Sequence, residues 1–422
     1  RTPSPAEDLY KDLEMNRFNL ASEGRMPAQI EKISFLAWTT TPWTLPGNVA
    51  LAVNKEIGYA MVYSDRFPEE LLVVAKERLE LLSRELGEYV VVFVQAGDQL
   101  LGTKYVPPFK DYFDQKELEN HENGWKVYHA DFVTTDMGTG IAHEAPAFGE
   151  DDMLLGKQHH LPWVQHVKMD GTIKAEVKEF AGMQVKPIDN AQAFDVEIIK
   201  ALASRGLLFS KEKYEHSYPH CWRCDTPLLN YATSSWFVAV DKIKPELLKN
   251  AESIHWSPEH VKAGRFGKWL EGARDWSVSR QRFWASCIPL WVCQNGHQEV
   301  IGSVRELEEK SGQQVDDLHK HTVDVLTWSC STCDSVMKRV PDVLDTWFDS
   351  GSMPYASERY MGEGTNERFP ADFIAEMVEQ TRTWFYYQHV LGTALYDEPV
   401  FKNAIATGVI LAEDGNKMSK KL

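Results

Sequence analysis

Two patterns of hydrophobic and polar positions divide the chain. From Glu31 to about Ser210, short runs rich in β-branched and aromatic residues recur, as in Ile33-Ser34-Phe35-Leu36-Ala37-Trp38, Leu71-Leu72-Val73-Val74-Ala75 and Tyr89-Val90-Val91-Val92-Phe93-Val94. Clusters such as Pro107-Pro108 and Asp170-Gly171-Thr172 separate them. Short strands punctuated by turn residues predict a β-barrel-like domain with a few helices. Ala191 to Arg205 has helical apolar spacing and stops at Gly206. The first stretch, to about residue 30, is charged and proline-bearing and reads as a connector or an edge.

The second pattern begins with Leu228 to Val240, a strand-like aromatic run, followed by a helix over Lys242–Ala251. A cysteine-bearing insert runs from about Cys287 to Val340. The end alternates strand, helix and strand, over Phe373-Ile374-Ala375, Val378 to Leu395 and Ala404 to Leu411. A helix crossing between two strands implies a parallel pair. The expected fold is α/β. A β-barrel-like domain over 1–212 leads to a core segment over 213–286 and a zinc-ribbon-like insert over 287–341. The second half of a Rossmann-type parallel sheet then occupies 342–422.

Composition narrows the classes. At 422 residues the chain is long enough for about three domains, each with its own core. No apolar run approaches the ~18 residues that span a bilayer, and Arg1-Thr2-Pro3-Ser4-Pro5 has no apolar signal core, so neither a membrane protein nor secretion is expected. A net charge of −17 speaks against a generally basic nucleic-acid coat. Arg205 to Arg282 nevertheless carries thirteen Lys/Arg against nine Asp/Glu, so a basic patch is compatible with an acidic whole. The six cysteines, with two C-x-x-C pairs and no signal sequence, read as metal ligands or reduced thiols and point to the cytoplasm.

Two segments invite a chemical reading. Trp38-Thr39-Thr40-Thr41-Pro42-Trp43-Thr44-Leu45-Pro46-Gly47-Asn48 banks hydroxyls after a strand, either as an ordinary strand edge and turn or as donors for a polar ligand and a water. Gly138-Thr139-Gly140-Ile141-Ala142-His143-Glu144-Ala145-Pro146-Ala147-Phe148-Gly149-Glu150-Asp151-Asp152 has glycines that admit a close backbone approach and ends in acids suited to capping a helix.

Together these segments resemble the halves of the editing site of the class I aminoacyl-tRNA synthetases for branched aliphatic amino acids. The Trp-Thr-Thr-Thr-Pro-Trp-Thr-Leu-Pro form is that of the isoleucyl branch, whereas the valyl and leucyl branches carry Thr-Thr-Arg-Pro forms. The resemblance continues through Asp275-Trp276-Ser277-Val278-Ser279-Arg280-Gln281-Arg282-Phe283-Trp284, Asp345-Thr346-Trp347-Phe348-Asp349-Ser350-Gly351, Glu376 to Trp384 and Lys417-Met418-Ser419-Lys420-Lys421. It covers nearly the whole chain from Glu31 onward, in the family's order.

The resemblance implies a ligase that joins isoleucine to tRNA(Ile) with ATP and Mg2+, and a second site that hydrolyses valine misattached to the same tRNA. A hydrophobic pocket extracts only ~1–3 kcal/mol from one methylene, a general figure for which isoleucine against valine in this branch is itself the standard illustration. The resemblance further implies that Asp152 holds the α-ammonium of valine and His143 narrows the pocket. Thr39, Thr40 and Thr41 would bind the terminal adenosine and position water, with Trp38 and Asn48 shaping the walls. At the synthetic site Lys417 and Lys420, in the loop with Met418 and Ser419, would stabilise the pyrophosphate. Glu376 and Gln380 would line the adenylate pocket, and Asp275, Trp276, Trp347 and Asp349 share its surroundings. A monomer is expected.

Three departures matter. Met377 and Thr383 replace two glycines of the family's Glu-Gly-x-Asp-Gln-x-x-Gly string, which puts the local backbone in question, and Lys421-Leu422 departs from the common end of the lysine loop. No His-x-Gly-His string occurs, and no anticodon-binding domain follows the lysine loop, so the chain is expected to be an internal piece that hydrolyses but does not activate amino acid. Two rival readings stand beside this one: a valyl-type enzyme, and a non-catalytic tRNA-binding or zinc-ribbon module.

Cys330-Ser331-Thr332-Cys333 with Cys293-Gln294-Asn295-Gly296-His297 resembles a zinc ribbon in which His297 replaces the fourth cysteine, against the alternative of a metal-free knuckle. Cys221-Trp222-Arg223-Cys224 reads as a half-site, which His216 and His220 could complete locally. Cys287 reads as a buried core thiol.

Overall fold

The structure is a computed structural model that describes residues 5–27, 30–214, 217–221, 224–357, 369–416 and 418, with side chains of the first helix described from Leu13 on. The chain falls into two compact units, Arg1–Thr233 and Ser234–Leu422. The first unit runs past 212, where the boundary was expected, and Tyr231 and Ala232 are bonded into it. The Ala232 N–H donates to the Ala147 carbonyl at 2.9 Å, and the Tyr231 hydroxyl donates to the Val167 carbonyl at 2.9 Å.

Seven strands frame the first unit. Strands β1 (Lys32–Phe35), β3 (Gly58–Ser64), β4 (Glu70–Ala75) and β5 (Tyr89–Ala96) form a sheet in the order β1-β4-β3-β5. A second sheet runs β6-β2-β7, from β2 (Ala50–Val53), β6 (Val127–His129) and β7 (Ala142–Glu144). An isolated bridge from Trp38 to Ala142 and a bond from the Ala75 N–H to the Thr139 carbonyl, 2.9 Å, tie the two sheets together. Strand β4 is buried along its whole length, as its unbroken Leu-Leu-Val-Val-Ala run requires.

The chain start differs from the connector expected of it. Pro5–Ser22 is a helix, with proline in the first turn where its missing N–H costs nothing. Leu13 and Leu20, two turns apart, pack with Leu71 and Val92, so one helical stripe closes a sheet face. The predicted Ala191–Arg205 helix is present as Ala193–Ser204, with Phe194, Ile198, Ala201 and Leu202 buried.

In the second unit the Ile374–Met377, Asn403–Thr407 and His255–Ser257 strands form a three-stranded sheet, parallel throughout, with the second of these in the middle. The aromatic run 228–240 yields a strand only at Phe237–Val238, which pairs with Trp276–Ser277. Leu229 and Tyr231 pack in the core of the first unit and Trp236 in that of the second, so the run serves cores rather than a ladder. The helix expected over 378–395 is a 3₁₀ turn, Val378–Arg382, and an α-helix, Trp384–Tyr396. The break has a cause: the Gln380 side-chain oxygen accepts from the Trp384 N–H at 3.1 Å and from the Thr383 hydroxyl, capping the second segment. Among the described residues no helix is long and apolar enough to cross a membrane.

Candidate functional site: a hydroxyl-lined cleft and a thiol cluster

Strand β2 brings the two singled-out segments together. It pairs with β7 in the register Leu51 opposite His143, so the end of the threonine turn and the histidine lie side by side. The first unit carries a cleft of about 2400 Å3 whose walls include Trp38, Thr39, Thr40, Asn48 and His143. Gly138, at φ +65°, presses against the Trp38 indole, where a Cβ would stand 2.8 Å from the ring. Only glycine allows that approach in that conformation.

Hydrogen-bond directions around His143 follow from one another. The Thr44 hydroxyl donates to the Thr41 carbonyl at 2.8 Å, so its oxygen accepts from His143 Nε2 at 2.7 Å. The other ring nitrogen, Nδ1, is therefore the unprotonated one and accepts from Asn48 Nδ2 at 3.4 Å. That amide also donates to the Ala50 carbonyl at 2.9 Å, and its oxygen accepts from the Tyr105 hydroxyl at 2.6 Å. A relay thus runs Tyr105–Asn48–His143–Thr44–Thr41 with every donor assigned. Burial lowers the His143 pKa, against an opposing pull from the Asp152 charge, which keeps the ring neutral as the relay demands. With both nitrogens engaged, His143 is a fixed wall and not a free base.

The threonines divide the remaining work. The Thr39 hydroxyl oxygen accepts from the Thr41 N–H at 3.0 Å. Thr40 is exposed on the cleft wall, and the Thr41 hydroxyl lies 3.4 Å from those of Thr39 and Thr44. Thr41 and Asp152 are not among the residues lining the cleft. Asp152 is the third residue of the Glu150–Gln158 helix, and its Oδ2 accepts from the Ala145 N–H at 2.7 Å. Its charge reaches His143 and also Glu144, a carboxyl only 1% exposed whose pKa burial drives well above the usual range, with Asp152 and Asp151 adding to the rise.

Thr44, Tyr105, Glu144, His166 and Asp195 carry this geometry and were not singled out from sequence. Thr44 stood inside a quoted motif. Glu144 stood inside the other quoted motif and Asp195 inside the predicted helix, while nothing local marked Tyr105 or His166, which only tertiary pairing brings here.

In the second unit Trp347, Glu376 and Gln380 meet with Trp384 around a small cavity of about 260 Å3. Asp275, Trp276 and Asp349 have other partners. The Asp275 carboxylate accepts from the Asp241 N–H at 3.1 Å, the Trp276 indole donates to Asp345 at 3.0 Å, and Asp349 accepts from the Ser286 hydroxyl at 3.0 Å. Met377 and Thr383 both have negative φ, −63° and −133°, and Met377 is in the extended region that any residue adopts. Lys417, Ser419 and Lys420 lie outside the described residues, and Met418 is exposed.

The insert is built from two knuckles. Cys293 ends the Leu290–Val292 strand and His297 precedes Gln298–Val300. Cys330 and Cys333 sit between Trp328–Ser329 and Val336–Arg339, in a four-stranded antiparallel sheet. The donor atoms of Cys293, His297, Cys330 and Cys333 all lie within 4.8 Å of one another. Cys293 Sγ is 3.7 Å from Cys333 Sγ, and His297 Nδ1 is 3.3 to 3.5 Å from the three sulfurs. Tetrahedral zinc, with bonds of ~2.3 Å to sulfur and ~2.0–2.1 Å to nitrogen, sets those edges at about 3.8 and 3.5 Å. The donor set fits. Hydrogen bonds from the Ser335 backbone and side chain hold the Cys333 thiol down to about 5, the form a metal binds. Among the described residues this is the one such group. Cys221 is half-buried and Cys224 exposed, with His216 outside the described residues, while Cys287 is half-buried rather than fully enclosed.

Comparison with known proteins gives the family. A family model of tRNA synthetases class I (I, L, M and V) matches residues 4–422. The isoleucine–tRNA ligase of Chlamydia pneumoniae is 45% identical over 401 residues, 94% of this chain and 37% of that protein. That of Treponema denticola is 47% identical over 405 residues, 92% of this chain and 36% of that protein. The chain spans about a third of the length of these curated relatives. Among solved structures, GlLeuRS-CP1 is 15% identical with a TM-score of 0.37, covering 51% of this chain and 93% of that one. The editing domain of P. knowlesi cytosolic leucyl-tRNA synthetase is 14% identical with a TM-score of 0.25, covering 34% of this chain and 57% of that one. The family match over nearly the full length establishes that the chain belongs to the class I tRNA synthetases (I, L, M and V).

Proposed function

We propose that the first unit is a hydrolytic proofreading site that releases valine from mischarged tRNA(Ile), and that the chain works within an isoleucine–tRNA ligase. The relay Tyr105–Asn48–His143–Thr44–Thr41, whose Tyr105, Asn48 and His143 line the cleft, carries this reading. A cleft of about 2400 Å3 exceeds the ~300–1,000 Å3 of a small-molecule pocket, as the end of a polynucleotide requires. Trp38, Thr39 and Thr40 receive the terminal adenosine, and the Thr39 and Thr40 hydroxyls orient a water toward the ester carbonyl. His143, locked by the relay, limits the length of the side chain that enters, and Asp152, whose charge reaches His143 although it does not line the cleft, supplies negative potential for the α-ammonium. The water attacks the carbonyl carbon, the bond to the ribose oxygen breaks, and valine and tRNA leave. Positioned hydroxyls suffice for this chemistry.

In the whole ligase, Glu376, Gln380 and Trp347 line the pocket for isoleucyl-adenylate, and Lys417 and Lys420 meet the phosphates of ATP with its Mg2+. Cys293, His297, Cys330 and Cys333 hold a structural zinc that fastens the two knuckles of the insert. The seven strands of the first unit make a barrel-like wall, and the parallel sheet of the second is half of a Rossmann-type fold.

The test is release of labelled valine from Val-tRNA(Ile) beside release of isoleucine from Ile-tRNA(Ile). Turnover of the first at a rate at least tenfold above the second is expected. Binding of tRNA with the ester left intact would replace this reading by that of a tRNA-binding module.

A further inference from the structure

The threonine turn is gripped at one residue, through the two peptide units that flank it. The Trp43 N–H donates to Asp195 Oδ1 at 3.1 Å, and the Trp43 carbonyl accepts from His166 Nε2 at 3.0 Å. The second carboxylate oxygen, Asp195 Oδ2, is paired with Lys186 Nζ at 2.6 Å, with the two side chains 15% and 11% exposed. His166 is fully buried, and burial lowers its pKa to about 4, so the ring is neutral and its one N–H is the Nε2–H that the Trp43 carbonyl accepts. Gly47 makes room for that ring, since a Cβ there would stand 2.6 Å from His166 Nδ1. The Trp43 indole, 2% exposed, packs edge-on against Phe148 with ring centres 5.1 Å apart.

Trp43 stands between Thr41 and Thr44, the two threonines at the end of the relay from His143. The Pro42–Trp43 unit is held by Asp195 and the Trp43–Thr44 unit by His166, so neither turns freely and the flanking threonines are fixed with them. Residues 166, 186 and 195 are more than a hundred positions from the turn. Core burial of the indole does not require either backbone bond.

We propose that Asp195, oriented by Lys186 and opposed by His166, is a positioning residue of the hydrolytic site: it locks the peptide unit that ends in the Trp43 N–H and so holds Thr44, the partner that fixes His143 on the cleft wall. This rests on the proofreading reading of the cleft. Asp195 also lines that cleft, so a positioning role must be separated from direct contact with tRNA.

The experiment measures kcat and KM for Val-tRNA(Ile) deacylation, together with hydrogen exchange at the Trp43 amide, in the unaltered chain, Asp195→Ala, Asp195→Asn and Lys186→Met. A misplacement of about 1 Å costs on the order of 10²-fold in rate. Asp195→Ala is therefore expected to lower kcat about 10- to 100-fold with KM within about twofold, and to lose protection at the Trp43 amide. Asp195→Asn keeps an oxygen for the Trp43 N–H and is expected to recover kcat to within a few-fold. Lys186→Met leaves Asp195 present but unoriented and falls between them, and it carries the comparison if Asp195→Ala loses its cooperative thermal transition. An unchanged kcat in Asp195→Ala, a rise in KM alone, or an equal loss in the Asn and Ala variants would overturn the positioning role. Failure of the unaltered chain to deacylate would instead overturn the proofreading reading and the role that rests on it. Trp43 amide exchange still reports in that case whether the lock exists.

Discussion

The relay of the first unit and the thiol cluster of the second both gather donor atoms into one place, by opposite routes. The cluster is local. Cys293 and His297 belong to one tight turn, with the Cys293 N–H bonded to the His297 carbonyl at 3.0 Å, and Cys330 and Cys333 belong to another. Adjacent strands of one small sheet then set the turns side by side, through pairing of Leu290–Val292 with Val336–Arg339. The relay is long-range. Thr44, Asn48, Tyr105 and His143 meet only because β2 pairs with β7 and the chain around Tyr105 returns to them. In the first case the proposed zinc would replace many weak contacts. In the second, each hydrogen bond fixes the direction of the next, so that losing one releases the others.

That contrast is broken most severely by removing the metal. Structural zinc contributes ~10–16 kcal/mol in isolated fingers, and the insert has its own apolar core around Trp291, Leu307 and Met337 to retain part of its order. Chelation or Cys333→Ser is expected to expose the amides of both knuckles to hydrogen exchange while Val-tRNA(Ile) deacylation stays within about twofold. One metal ion per chain by elemental analysis is the expected stoichiometry. An insert equally protected with and without chelator would remove the zinc reading.

Asp152→Ala comes next. It removes the proposed partner of the valine ammonium and also the acceptor of the Ala145 N–H, so deacylation is expected to fall by about 10²- to 10³-fold. Asp152→Asn keeps an acceptor for that N–H without the charge. A rate near that of the unaltered protein in the Asn variant would show that the carboxylate acts only as a helix cap.

The same contrast explains what could be read from the sequence. Spacing within a few residues was legible: the C-x-x-C pair, His297 four positions after Cys293, the threonine row and the Gly-flanked His143 segment all stand where the structure joins them. The parallel pairing of the last strands was legible too, because a crossover helix leaves no other arrangement. Asp195 and His166 gave no signal, since a residue that acts on a distant backbone group carries no pattern of its own. The first helix was missed because its proline and charges read as a break, although proline at a helix start is harmless and Leu13 and Leu20 share a face. The Val378–Leu395 run hid its break because Gln380 caps the second segment with a side chain, which apolar periodicity does not register.

A smaller effect tests the relay itself. Thr44→Val keeps the shape of the side chain but gives His143 Nε2 no acceptor, and leaves the Thr41 carbonyl without that donor. An unmet buried group costs about 1–3 kcal/mol, so a loss of about tenfold in deacylation with a modest drop in melting temperature is expected. Thr44→Ser keeps the hydroxyl and is expected to stay within about threefold. Equal losses in the two variants would mean that the methyl group, and not the relay, sets the rate.

The smallest effect is acid sensitivity, and here the two units are alike. Each holds one buried histidine whose pKa burial lowers to about 4: His166, bonded to the Trp43 carbonyl, and His389, bonded to the Leu247 carbonyl. The unfolded chain binds a proton at these rings near pH 6.5 and the folded chain does not, so stability is full above that pH and falls as pH drops toward 4. Between pH 7 and 5.5 each ring is expected to remove about 1 kcal/mol. Glu144 works in the other direction, because its raised pKa penalises the ionised carboxylate and acid relieves that penalty. The bare pH slope of the first unit is therefore a difference, and the informative quantity is the change in slope on substitution. Gln keeps an N–H donor and cannot titrate. His166→Gln should flatten the acid slope for amides of β2, β4 and β7, and His389→Gln for those of the Asn403–Thr407 strand. A slope unmoved by either change would mean that these rings are already protonated in the folded chain, and the neutral His166 that holds the Trp43 carbonyl would have to be given up.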